Sequence, residues 1–148
     1  MTKNKSKEIF NAAKSFYSGA KVILESAQSN MRDQTIKTFH FPILPCITNM
    51  VFSLELFIKC LLVVEGKNPR HIHNIYKLYE ELSEKTKNSL FIKASERKEG
   101  ESLLQEIANA FEDWRYSYEK SFLEINLEKM DEVIKIFRDY IIFSHIHD

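Results

Sequence analysis

"ITNMVFSLELFIKCLLVVEG", Ile47 to Gly66, decides the fold. Met50, Val51, Leu54, Phe57, Ile58, Leu61 and Leu62 recur at three- and four-residue steps, the spacing of a helix. They cover most of its circumference, and a helix apolar on so many sides packs against several neighbours. The stretch therefore predicts the central helix of an all-α domain, from about Ile47 to Glu65. Gly66 and Pro69 supply its stop. Thr48, Asn49, Ser53, Glu55 and Lys59 interrupt the run too often for a membrane span, so a buried helix and no membrane partner are expected.

Working outward, a first helix is predicted from about Lys5 to Ser29, with Ile9, Ala13, Phe16, Ala20, Ile23 or Leu24, and Ala27 on one stripe. "SNMRDQTIKTFHFPILP", Ser29 to Pro45, breaks that period and carries Pro42 and Pro45, so it reads as a connection. Downstream, a third helix is expected to open at His73 as its cap residue and to bury Ile75, Leu78, Tyr79 and Leu82. "EKTKNSLFIKASERKEGE", Glu84 to Glu101, reads as polar and irregular, with a helical turn at Leu90 to Ala94. A fourth helix follows from Glu101 to about Trp114, and Asn126 caps a last one on Met130, Val133 or Ile134, Phe137, and Tyr140 or Ile141. Short connections between long amphipathic helices imply antiparallel neighbours, hence an up-and-down bundle of about five helices in a single domain, 1–148.

Composition agrees. In 148 residues there are only 3 Gly and 3 Pro, too few for the turns of an all-β fold. Lys plus Arg and Asp plus Glu each number 21, so no global basic field holds nucleic acid, although a local patch still can. Cys46 and Cys60 stand in apolar surroundings without CxxC spacing and read as reduced core thiols, which with the absence of a secretion signal points to the cytoplasm.

Three places carry chemistry. Glu55 and Lys59 are four apart with the acid first, the order that favours an ion pair on one helix face. They mark either a solvated strip between neighbouring helices or a polar notch that orients a ligand. His71 with His73, and His145 with His147, form two HxH pairs. Imidazoles two apart diverge on a helix, and no further ligand stands at the right spacing, so neither metal nor cofactor is expected. In "FEDWRYSYEK", Phe111 to Lys120, Arg115, Tyr118 and Glu119 share a face if the helix continues. That face can hold a phosphate or carboxylate on the guanidinium fork, or is a surface Arg–Glu pair beside a half-buried Tyr. No phosphate loop, HExxH or GxSxG occurs.

Taken together, "SLELFIKCLLVVEGKNPRHIHNIYKLYEEL" and "FEDWRYSYE" resemble the HEPN superfamily (higher eukaryotes and prokaryotes nucleotide-binding). The elements are Glu55 with Lys59, Gly66 with Pro69, His73-Asn74 with Leu78 and Leu82, and Arg115-Tyr116. The resemblance implies a helical bundle, commonly a homodimer, with Glu55, Lys59, His73, Arg115, Tyr116, Tyr118 and Glu119 lining a cleft at or near the dimer interface. It also implies partners: a nucleotide, an RNA, or a cognate nucleotidyltransferase or antitoxin protein, in toxin–antitoxin or defence systems. RNase members carry a His about four to six residues after the Arg, and here residues 116–121 contain none. The expectation is therefore a non-catalytic binding module. A divergent metal-independent RNase with Glu119 or Tyr118 as proton carrier, and a purely structural dimerisation domain, are the alternatives.

Overall fold

The structure, a computed structural model, describes residues 2–32, 43–112 and 126–145. Over these residues it is an all-α bundle of six helices without strands: α1 (Thr2–Arg32), α2 (Ile43–Val64), α3 (Ile75–Glu80), α4 (Glu84–Leu90), α5 (Ala94–Glu112) and α6 (Leu127–Ser144).

α2 is the central element, packing on α1, α3 and α6. By length and composition Leu44–Val64 could cross a membrane, but 67% of it is buried within the protein. Its apolar surface is thus spent on the core, where Leu54, Phe57, Ile58, Leu61 and Leu62 are all but inaccessible. Each such side chain contributes about 2 kcal/mol through burial.

α1 and α2 are antiparallel and meet along a seam of small residues. Cys46 Sγ donates to the carbonyl of Ala20 at 3.6 Å, Ser53 Oγ to that of Ala13 at 2.9 Å, and Cys60 Sγ to that of Ser6 at 3.3 Å. On α2 the donors are spaced every seven residues, and on α1 so are the acceptors. Seven residues are two helical turns, so all three rungs lie on one line down each helix. Each carbonyl has a second lone pair beyond its intrahelical bond, and the rung uses it. Burial pushes the Cys60 thiol up to about 12 and raises that of Cys46 as well, so both stay protonated as donors.

The helix ends follow their local chemistry. α2 stops in a Schellman motif at Gly66, whose φ is +78°. Its N–H reaches the Val63 carbonyl and that of Lys67 the Leu62 carbonyl, both at 2.9 Å. α2 begins earlier than its apolar run suggests and takes in Pro45. A proline in the first turn sacrifices only an N–H that has no intrahelical partner. α1 likewise extends beyond the expected Lys5–Ser29 limits at both ends.

The polar segment 84–101 is a larger correction. It forms α4 and the first two turns of α5, with the break at residues 91–93. Ser83 caps α4 by accepting from the Thr86 N–H. Arg97 on α5 then joins the two helices through Glu84 Oε2 at 3.0 Å and Asn88 Oδ1 at 2.7 Å, and pairs within its own helix with Glu101 Oε1 at 3.4 Å. At the break Phe91 turns inward and stacks edge-on with Tyr79 and Phe137, centroids 6.2–6.4 Å apart.

Candidate functional site

The placement of His73 begins at Gly66. After the Schellman turn the chain runs without helix to Asn74, whose Oδ1 accepts from the Lys77 N–H at 3.0 Å and caps α3. Asn74 is therefore the cap, and the expectation for His73 is corrected: a short amide suits that position better than an imidazole. Ile75, Leu78 and Tyr79 bury the inner face of α3 and fix the whole loop against α2. Arg70 pairs with Glu81, and Lys67 donates to the Glu81 carbonyl, which ties the loop to the end of α3.

So held, His73 lies over α2. Its Nδ1 is 2.8 Å from Glu55 Oε1, and Lys59 Nζ is 3.6 Å from the same oxygen. Glu55 is only 6% exposed, whereas the His73 side chain is 82% exposed and that of Lys59 17%. The solvated-strip reading of Glu55 fails on this point: the carboxylate is enclosed and the imidazole covers it. A buried carboxylate needs partners; here the imidazole donates to it and the Lys59 ammonium lies beside it. With the carboxylate as acceptor, Nδ1–H donates, which leaves Nε2 as the basic nitrogen of an accessible ring.

Of the seven expected site residues, Glu55, Lys59 and His73 come together. Arg115, Tyr116, Tyr118 and Glu119 lie outside the described residues, as does Trp114. His71 is exposed, and no group of three His, Cys, Asp or Glu side chains among the described residues is arranged to hold a metal. Two open grooves, of about 620 and 630 Å³, run along α5, and neither is lined by Glu55, Lys59 or His73.

Two further carboxylates are organised in ways that residue spacing does not reveal. Burial pushes Glu65 up, but hydrogen bonds from the Ser83 N–H, Lys67 and the Thr86 hydroxyl outweigh it and hold the carboxyl below its usual range. Glu65 thus anchors the start of α4 to the end of α2. Asp131 on α6 accepts from the Tyr17 hydroxyl at 2.5 Å and from Lys135 at 2.9 Å, with Lys21 at 3.6 Å. There too burial opposes ionisation, and the hydrogen bonds and cations prevail. Local sequence names neither carboxylate's distant partners.

In comparison with known families, the family model described as HEPN domain matches residues 6–142. No curated protein and no solved structure gives a significant match.

Proposed function

The chain belongs to the HEPN family, and from that premise we propose that it is a non-catalytic module whose ligand, an RNA or a nucleotide, meets the Glu55–Lys59–His73 cluster. HEPN domains commonly dimerise and bind nucleic acids. The observation that supports the reading is a carboxylate 6% exposed whose imidazole and ammonium partners both reach solvent. Such a group offers a ligand an acceptor, a fixed ammonium and an imidazole within one patch. Ribose hydroxyls and phosphate oxygens are the complementary partners. Fluorescence anisotropy with labelled RNA and with a fluorescent ATP analogue tests this. Lys59→Ala and His73→Ala should each weaken binding by about tenfold, the loss of one charge-assisted hydrogen bond. Undiminished binding by both folded variants would remove the cluster from the site.

The homodimer belongs to the same reading. Phe16 on α1 and Phe52 on α2 are 39% and 37% exposed, and their rings meet edge-on at 5.7 Å. Phe52 and Lys59 are two turns apart on α2, so an apolar strip continues into the polar cluster. A second copy seated on Phe16 and Phe52 brings its own surface beside His73.

One observation favours RNA cleavage as a second reading. His73 is oriented by a carboxylate through Nδ1, the arrangement that equips an imidazole as a general base. Incubating the purified domain with tRNA and mRNA without metal decides this. Cleavage that disappears in His73→Gln supports it, and intact RNA rejects it.

A further inference from the structure

Lys7, Lys14 and Lys21 lie on α1 at seven-residue steps, one position after each acceptor of the small-residue seam. At 1.5 Å per residue they form a line about 21 Å long, with about 10.5 Å between successive ammonium stems. Glu8 is the only acid in α1 between Lys7 and Lys21, and it lies about 100° round the helix from the line. α6 adds Lys135 and Arg138 alongside: Arg138 lies over the Tyr17 ring at 5.7 Å, and Lys135 shares Asp131 with Lys21.

Two carboxylates on α6 pair with members of this group: Asp131, which is committed to Tyr17, Lys21 and Lys135, and Asp139, which accepts from Arg138 at 3.0 Å. The line ends at Glu25, one turn past Lys21, so on a chain whose formal net charge is zero its unpaired positive charge is concentrated at Lys7 and Lys14. Lys7 and Lys14 are exposed and make no ion pair with any described carboxylate, and Lys14 rests 4.8 Å above the Phe10 ring. Stability has no use for unpaired like charges in a row. The aromatic rings beneath, Phe10 and Tyr17, are 3% and 6% exposed, so they offer no surface on which bases could stack.

We infer that this ridge carries the sugar–phosphate backbone of an extended RNA strand, without reading its bases. The inference rests on the RNA reading above but concerns a different surface. On α1 the ridge lies on the opposite side from Phe16, whose ring continues into the Glu55 flank of α2. A strand held there is positioned by charge alone, and sequence preference must come from elsewhere.

The test measures anisotropy of labelled 20-nucleotide oligo(U) and mixed-sequence RNA across potassium chloride concentrations. The proteins are the full chain and the triple variant Lys7→Glu, Lys14→Glu, Lys21→Glu, with Lys7→Gln, Lys14→Gln, Lys21→Gln as a milder version should charge reversal impair folding. The wild type should bind both RNAs alike. The triple variant should lose at least about tenfold in affinity, and its slope of log K against log salt should be less negative by about two, for three single-strand phosphate contacts. Equal affinity and slope in either folded triple variant overturns the ridge and leaves the cluster reading standing. No RNA binding by the wild type overturns both. Loss of binding to anionic phosphatidylserine vesicles in the variant, with RNA binding unchanged, assigns the ridge to a membrane surface and rejects the inference.

Discussion

Glu55 Oε1 and His73 Nδ1 are 2.8 Å apart, and the acid is buried where the imidazole is open. The asymmetry separates folding from binding. His73→Ala removes an exposed side chain but also the one hydrogen bond to the buried carboxylate, so chemical denaturation should show a loss of about 1–3 kcal/mol in a chain that still folds. Ligand affinity should fall by far more than that loss accounts for. A large drop in stability without one in affinity would make His73 a purely structural lid.

Gly100 predicts a reversal of the usual helix rule. In an exposed helix interior Gly→Ala stabilises by about 1 kcal/mol. Here an added Cβ would lie 2.5 Å from the Phe91 ring, which is wedged against Tyr79 and Phe137. Gly100→Ala should therefore destabilise by about 1–3 kcal/mol in urea titration. Phe91→Leu in the same chain should make the alanine nearly neutral, as the obstructing ring is gone.

These two features mark the limit of what residue spacing reveals. The central helix was legible because Leu54, Phe57, Ile58 and Leu61 impose their period whatever surrounds them. The Glu55–Lys59 step was legible because both groups stand on one helix. That His73 would cover Glu55 was not, since the loop between them is set by a glycine turn and an asparagine cap acting together. The polar run hid α4 and the first two turns of α5 for a related reason. They are held by the Ser83 cap, by Arg97 reaching from α5 to α4 and by the distant Glu65 rather than by an apolar period of their own.

Glu65 should govern the acid limb of stability. Its carboxyl is held below the ordinary range in the folded chain, so the unfolded chain takes up the proton first as pH falls. The contribution is complete above about pH 5, where the ordinary carboxylate pKa of about 4.3 is already exceeded. It is lost as pH drops through the folded value. Glu65→Ala should cost about 1–3 kcal/mol at pH 7 by leaving the Ser83 N–H and Thr86 unpaired. The difference between variant and wild type should shrink toward pH 3 in thermal melts.

Cys60 should govern the alkaline limb. A free thiol ionises near 8.5, whereas in the folded chain Cys60 does so at about 12. Its contribution is complete below about pH 8.5 and declines as pH rises toward the folded value, because only the unfolded chain ionises in that window. Native protein should resist a thiol-specific disulfide reagent at pH 8 and react at both cysteines on unfolding. Cys60→Ser should flatten the decline in stability above pH 9.

Phe52→Glu puts a charge into the strip shared with Phe16 and should leave the fold intact, as Phe52 is 37% exposed. Light scattering should read a dimer for the wild type at micromolar concentration and a single chain for the variant. Equal masses for the two proteins would move the subunit contact to another face.

The seven-residue rungs between α1 and α2 have a further effect on how the chain finds its register. A repeat of identical steps behaves like a ratchet: slipping α2 by two turns still pairs Ser6 with Ser53 and Ala13 with Cys46, so two of three rungs survive. The tooth that prevents the slip is aromatic. Phe10 meets Phe57 at 5.7 Å and Phe16 meets Phe52 at the same distance in the native alignment, whereas that slip would set Phe10 against Met50 and Phe16 against Pro45 and lose both ring pairs. Trimming them to alanine should leave a helical hairpin that is well formed yet able to settle one notch out of place.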